Sequence, residues 1–458
     1  MTTISNFKVR YSWLRATVIT NFFLGFSGGL PFPLVYATLT AWLEEAGLAR
    51  STISTFAWIG FAYSLKFLWA PIIDSTRVPL LTRWFGRRRA WLLVAQLGIA
   101  LSLLALSTMD PALELPIFTL VVLAVALFSA TQDIVIDAYR VESDDLKMQG
   151  LLAAAYQYGY RLALIFSMAG ALYIAEWGSW SLAYQAMAGL MCVGVMTVLL
   201  SPEPTSITPQ ASHSVGEWLA TNVAKPFTDF FKRCGWIAIP IIAYILCFRV
   251  SDYVLGILAN PFYLDLGFSK SEVASVAKLY GVVVALIGVA VGGVAVLKAG
   301  IYRSLILASI LIASTNLAFM FLAFQGPELW ALAVTISGDN FAMGFAGTVF
   351  IAYLSSLTNT EFTATQYALF SSISVLLGKF VAKYSGNVQE WSGWATLASP
   401  WMTDAARDAD WAGWVGFFLY ASLTGVPSIL LAIFVSMKRF RPPDPAPGPV
   451  AADGEQPV

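Results

Sequence analysis

Between Leu115 and Ala130 the sequence reads LPIFTLVVLAVALFSA, sixteen residues without a charge. The same stretch runs on into TQDIVIDAYRVE, where Asp133 and Asp137 stand one helical turn apart, just ahead of Arg140. Apolar runs of this kind recur along the whole chain. A bilayer core of ~30 Å takes about 20 apolar residues per helix. That ruler predicts twelve spans, at 16–42, 51–74, 90–108, 115–139, 150–175, 180–200, 236–262, 270–297, 303–324, 328–354, 362–385 and 412–436. Only 12% of the 458 residues are charged, whereas soluble domains carry about 25%. The expected fold is an all-α, multi-pass membrane protein, with the lipid bilayer as its first partner.

Several classes of chemistry find no support. The one histidine, His213, lies in a polar loop, and neither HExxH nor GxxxxGK[ST] occurs, so no enzyme activity, cofactor or metal is expected. A net charge of zero offers nothing to nucleic acid. Cys192, Cys234 and Cys247 form no CxxC pair and read as small buried hydrophobes. The start, MTTISNFKVRYSWLR, lacks a cleavable signal pattern, so the first span is expected to be the anchor.

The longest internal polar stretch, SPEPTSITPQASHSVGEWLATNVAKPFTDFFKRCGW, divides the spans six and six. The expected organisation is an N-terminal six-helix bundle (1–200), a linker with an amphipathic interfacial helix (201–235), a C-terminal six-helix bundle (236–436) and a disordered Pro-rich tail (437–458). Of the 27 Lys and Arg, eighteen fall in the termini and even-numbered loops and four on the other side, which predicts cytoplasmic N and C termini. The halves also echo one another. GLARSTI (Gly47–Ile53) and GFSKSEV (Gly267–Val273) follow the first and seventh spans. Gln132-Asp133 and Asp339-Asn340 lie in the fourth span of each half, and Gln157-Tyr158-Gly159 and Gln366-Tyr367-Ala368 in the fifth. These recurrences predict two parallel repeats, the plan of major facilitator transporters.

An ionisable residue inside a span costs at least ~2.5–3.5 kcal/mol on insertion scales and is a site candidate by default. Arg161, Arg249 and Asp339 fall near mid-bilayer; Lys66 and Lys278 lie off-centre, toward opposite sides. Arg249 and Asp252, at i,i+3, read equally as an internal pair or a substrate contact. Arg161 has no acid three or four residues away, which points to substrate. Asp133 and Asp137 share a face, so each opposes the other's ionisation, as a proton carrier requires. The competing reading makes Asp137 and Arg140 a charge lock with the 2–3 loop, where Asp74, Arg87 and Arg88 complete a gate. That loop matches the facilitator loop signature in part, with Ala70-Pro71 where its first Gly belongs and a longer interval from Asp74 to Gly86.

At these residues the chain resembles the AmpG muropeptide permease family of the major facilitator superfamily. The similarity is carried by LGFSGGLPFPL (Leu24–Leu34), LKFLWAPIID (Leu65–Asp74), FGRRRAWLL, SATQDIVIDAYR (Ser129–Arg140), GYRLAL, NPFYLDLGFS, GDNFAMGFAGTVFIAYL and FTATQYALFSS. The resemblance implies proton-driven import of 1,6-anhydromuropeptides across the bacterial inner membrane, by a monomer, for peptidoglycan recycling and, where the enzyme is inducible, β-lactamase induction. It implies substrate contacts from Arg161, Arg249, Lys66, Lys278, Gln132, Asp339, Asn340 and Gln366, with Asp133 and Asp137 in coupling. KFLWAP also suits carriers of other anionic solutes such as siderophores, the alternative cargo. The chain departs from the pattern at Arg249 (Lys expected), at Asp339 (Glu expected) and in a longer loop around 386–411. The tryptophans there, Trp391, Trp394, Trp401, Trp411 and Trp414, read as membrane-interface anchors.

Overall fold

The computed structural model describes residues 15–204, 214–394 and 409–441. Among these the chain is helical with no strand. Its long elements are α1 (Ala16–Glu45), the broken α2 (Ser51–Ser64 and Lys66–Ser75), α3 (Arg87–Ser107), α4 (Leu115–Glu142), α5 (Gln149–Trp177), α6 (Trp180–Leu200), α7 (Gly216–Asp265), α8 (Ser275–Ala299), α9 (Ile301–Gln325) and α10 (Leu329–Leu357). After α11 (Thr363–Ile373) comes α12 (Ala412–Ser436). Among the described residues ten of these are long and apolar enough to cross a membrane, eleven with the two arms of α2 taken as one span.

The eleventh predicted span differs from the rest. After α11 the chain turns at Ser374–Val375 and continues as two short helices, Leu376–Ala382 and Ser385–Gln389. Thr363, Thr365, Gln366, Ser371, Ser372 and Ser374 make its first half polar, and hydroxyls such as that of Ser371, bonded to the Ala368 carbonyl, compete for backbone groups. The two arms of α2 meet at 41°. Here KFLWAP supplies the cause. Pro71 has no N–H for the carbonyl one turn back and its ring crowds that carbonyl, so Lys66–Leu68 tightens to a 3₁₀ turn.

Two compact units emerge. The first comprises the described residues up to Phe230 together with Ser355–Ser372; the second comprises Phe231–Leu354 and the described residues from Ile373 on. The first unit thus includes most of the linker helix and the turn between α10 and α11. Within it α1 and α5 cross at backbone contact. A Cβ on Gly25 would overlap the Tyr156 carbonyl, and one on Gly159 the Phe22 carbonyl. In the second unit α8 and α10 approach the same way, through Gly288 against Phe341 and Gly344 against Ala285. Small residues at such crossings let apolar helices associate where water supplies no driving force.

The repeat is visible in the backbone. Gly47 and Gly267, the first residues of the two echoing motifs, both take positive φ, +78° and +102°. Gly86 (φ 84°, ψ 177°) precedes α3, and Gly300 (φ 83°, ψ 162°) precedes α9 in nearly the same conformation. That region is essentially open to glycine alone. The paired acids in α4 and α10 are less equivalent, since Asp133 lies in the later half of its helix and Asp339 in the earlier half of its own.

Of the tryptophans expected as anchors, Trp414 is buried in the core of the second unit, against Phe262 and Phe418. Trp394 packs on the same core and donates its indole N–H to the Val388 carbonyl. Trp391 is exposed. Trp401 and the side chain of Trp411 lie outside the described residues, as do His213, the N-terminal 14 residues and the tail beyond Arg441.

Overpacking a tight crossing typically costs about 1–3 kcal/mol. Gly159→Ala should therefore lower the thermal midpoint of the protein in detergent. Gly189→Ala on α6, whose added methyl meets no atom within 4 Å, should leave it unchanged. Equal midpoints would refute the α1–α5 assignment.

Candidate functional site

The polar residues of α4 fall into three tiers. Deepest is Gln132, fully buried, whose amide donates to the Ser27 carbonyl at 2.9 Å and accepts from the Ser27 hydroxyl at 3.3 Å. Gln96 donates to the same hydroxyl at 3.1 Å. Gln132 is therefore a packing bridge between α4 and α1, and the substrate contact expected of it is not the task its amide performs here.

One residue on, Asp133 has an enclosed Oδ1 with no hydrogen-bond donor in reach among the described residues. Tyr63 of α2 and Tyr156 and Tyr160 of α5 surround it, and Lys66 and Asp137 are the charges that face it. Gly28 of α1 borders the same space, for a Cβ there would stand 3.7 Å from both Asp133 Oδ1 and the Tyr156 hydroxyl. The bend in α2 delivers Lys66, buried, with Nζ 3.7 Å from Asp137 Oδ2. Asp137 Oδ1 in turn accepts from Arg140 Nη1 at 2.8 Å. The expected acid pair is thus a four-membered cluster, Lys66–Asp133–Asp137–Arg140, with two charges of each sign. Neutrality on this scale is what a low-dielectric interior demands.

Arg140 carries no exposed surface. Its guanidinium lies between the Tyr156 ring at 5.6 Å and the Tyr367 ring at 5.0 Å. Tyr367 belongs to α11, so this cation–π contact ties α4 to the second half of the sequence within the first unit. The competing reading ties Asp137 and Arg140 to the 2–3 loop; the partners described for Arg140 are these rings and Asp137.

The lock itself is built by Arg88. This guanidinium is fully buried and gives Nη2 to Asp74 Oδ1 at 2.8 Å and to Glu142 Oε1 at 2.6 Å, and Nε to Glu142 Oε2 at 3.0 Å. Asp74 also receives the first turn of α11, with Ala364 N on Oδ1 at 3.2 Å and both Thr365 N and its hydroxyl on Oδ2 at 2.7 Å. A carboxylate at a helix N-terminus satisfies orphan amides and complements the helix dipole. Arg87 donates to the Asp74 carbonyl at 2.6 Å. On the far side Glu203, beyond α6, accepts the backbone N–H of Arg88 and of Arg89. Burial pushes the Glu203 carboxyl above its ordinary range although those two amides favour its charge.

The remaining candidates lie on other elements. Arg161 is half-buried on α5. In the second unit Arg249 Nε contacts Asp252 Oδ2 at 3.3 Å, so the internal pair forms, and Asp339 faces Asp252 electrostatically. Asn340 bonds the Ile336 carbonyl and packs beside Gly281. Lys278 lies in the π-helical stretch Ala274–Tyr280, and its side chain is outside the described residues. Gln366 is buried and bonded through both ends of its amide, to Asn359 N and to Pro226 O and Asp229. Its amide is thus already engaged beside Thr365, the residue that meets Asp74.

Glu142, Glu203, Asp229 and Thr365 escaped the sequence reading. Glu142 alone left a signal, as the next acid after Arg140 on the same helix. The others act across separations of more than a hundred residues, which periodicity does not report.

The Major Facilitator Superfamily model matches residues 52–382. A Rickettsia conorii protein named putative transporter AmpG 4 is 33% identical over 420 residues, covering 91% of this chain and 96% of that one. The anhydromuropeptide permease of Escherichia coli K12 is 30% identical over 413 residues, covering 90% of this chain and 78% of that one. Among solved structures, the proton:xylose symporter XylE aligns with a TM-score of 0.60 at 14% identity, over 93% of this chain and 94% of that one. The human organic anion transporter TETRAN aligns at 0.59 and 16%, over 91% and 99%. These two likenesses concern the fold.

Removing one member of a buried ion pair costs about 3–5 kcal/mol, whereas replacing the pair with apolar residues is often neutral. Glu142→Gln should therefore lower the thermal midpoint strongly. Adding Arg88→Met to Glu142→Leu should recover most of the loss, because Asp74 keeps its amide donors on α11. A double variant no better than the single one would show that Arg88 is not held by charge balance.

Proposed function

Because the chain belongs to the AmpG family of the major facilitator superfamily, a family of transporters and not of enzymes, we propose that it imports 1,6-anhydromuropeptides into the cytoplasm in symport with protons. The named permease relative suggests the cargo. The observation that carries the coupling is the Lys66–Asp133–Asp137–Arg140 cluster, where one acid is paired with arginine and the other keeps an enclosed, unbonded oxygen.

In this reading Asp133 is the proton site. Ionised, it shares Lys66 with Asp137 and the cluster is neutral; protonated, it releases Lys66 to Asp137 and the cluster carries one positive charge. A cargo bearing carboxylates is favoured in that second state. Arg161, Arg249, Lys278 and Asp339 would supply further contacts. The excess of Lys and Arg around the Asp74 end supports a cytoplasmic position for it, in the bacterial inner membrane. The Arg88–Asp74–Glu142 assembly is then the cytoplasmic gate, and the protein works as a monomer.

The test is uptake of labelled anhydromuropeptide into proteoliposomes under an inward proton gradient. Uptake indifferent to the gradient would overturn the coupling. No uptake, with a siderophore accepted instead, would overturn the cargo. Asp133→Asn should abolish accumulation while retaining exchange of preloaded cargo, since a neutral amide mimics the protonated acid but cannot release its proton. Persisting accumulation would remove Asp133 from the role.

A further inference from the structure

The linker helix does more than join the halves. Trp218 donates its indole N–H to the Ser75 hydroxyl at 3.1 Å, one residue beyond Asp74. On its other side the linker grips the turn between α10 and α11. Asp229 accepts from Gln366 Nε2 at 3.0 Å and from Asn359 Nδ2 at 3.3 Å on each oxygen. The Pro226 carbonyl accepts from Gln366 as well, at 2.9 Å, and Lys225 pairs with Glu361 at 2.6 Å. Gln366 closes the turn from within by accepting Asn359 N at 2.7 Å. The next residue back is Thr365, whose amide and hydroxyl meet Asp74.

We propose that Asp229 is a positioning residue of the gate, holding the first turn of α11 where the amides of Ala364 and Thr365 can cap onto Asp74. Asp74 reads two backbone N–H groups and one hydroxyl, and such a capping geometry fails with small shifts of the helix start. Gln366 is the intermediary. Its side chain is fixed at both ends, so the turn it closes is rigid, and Asp229 fixes that turn relative to α2. Among the described residues, an ion pair and several hydrogen bonds bind the linker to the α10–α11 turn, and the Trp218 indole reaches Ser75 beside Asp74. The inference rests on the transporter fold and needs no particular cargo.

The experiment uses the full-length protein in membrane vesicles, with Cys192, Cys234 and Cys247 replaced by serine. Single reporter cysteines are introduced at Thr358, buried in the α10–α11 turn, or at Ile73, buried on α2 beside Asp74. Labelling by N-ethylmaleimide is timed without cargo. Losing a hydrogen-bonded carboxylate shifts an equilibrium by about tenfold, so Asp229→Ala should speed labelling at both reporters by roughly that factor. Asp229→Asn keeps an acceptor for Gln366 and should give a smaller rise, which serves as the rescue if the alanine variant folds poorly. Gln366→Leu should reproduce the effect, and the double variant should add little to either single one. Unchanged labelling, faster labelling at Thr358 alone, or fully additive single effects would each overturn the proposal. The first denies any link to the gate, the second reports local fraying, and the third removes Gln366 as intermediary.

Discussion

The Arg88 guanidinium, with no surface exposed, is the constraint around which the Asp74 end is organised. A buried cation of this kind must be surrounded by acids and its own acids by further donors, or the desolvation penalty is uncompensated. The requirement draws in the end of α2 through Asp74, the end of α4 through Glu142, the segment after α6 through Glu203, and α11 through the amides on Asp74. No member of that set can leave singly without stranding a charge or an amide. The set therefore holds together or comes apart as a whole.

Charge balance also explains the interior of α4. Sequence spacing sets Asp133 and Asp137 on one face, where two like charges alone would be an unstable arrangement. The bend at KFLWAP inserts Lys66 beside them, and Arg140 takes the second acid. The distortion of α2 and the charge pattern of α4 are thus two parts of one solution. Tyr367 covers Arg140 from α11, so the helix whose N-terminus Asp74 caps also packs on the cluster and contacts both sites.

Much of this architecture was legible in the residues. Apolar runs of bilayer length located the spans other than the eleventh, and the Gly47 and Gly267 motifs betrayed the repeat because each glycine answers a positive-φ turn. Asp74, Arg88, Asp137 and Arg140 were identifiable as a candidate charge lock at the 2–3 loop. What stayed hidden were the pairings. Asp74 meets Thr365 across 291 positions and Arg88 N meets Glu203 across 115, and nothing in local periodicity encodes which acid a buried arginine will choose. Gln132 and Gln366 stood as substrate contacts on the family resemblance alone; only the geometry shows their amides engaged by Ser27, Asn359 and Pro226. Trp414 misled for the opposite reason, since a tryptophan-rich loop suggests an interface while aromatic packing with Phe262 draws this one inward.

The two repeats keep one backbone device and part company in chemistry. Gly86 and Gly300 hold the same unusual conformation ahead of α3 and α9. After Gly86 come three arginines, and the segment beyond α6 answers them with Glu203. After Gly300 comes Ile301-Tyr302-Arg303, and the segment beyond α12 answers with Arg441, whose guanidinium lies 4.4 Å over the Tyr302 ring while its Nε bonds the Ser436 carbonyl. An acid capping backbone amides has been exchanged for a cation on an aromatic face. The glycine turn is common because both repeats need the chain to enter a helix at that angle. The charges differ because the first repeat buries Arg88 and must surround it with acids, whereas Arg441 in the second is met by a ring and a carbonyl.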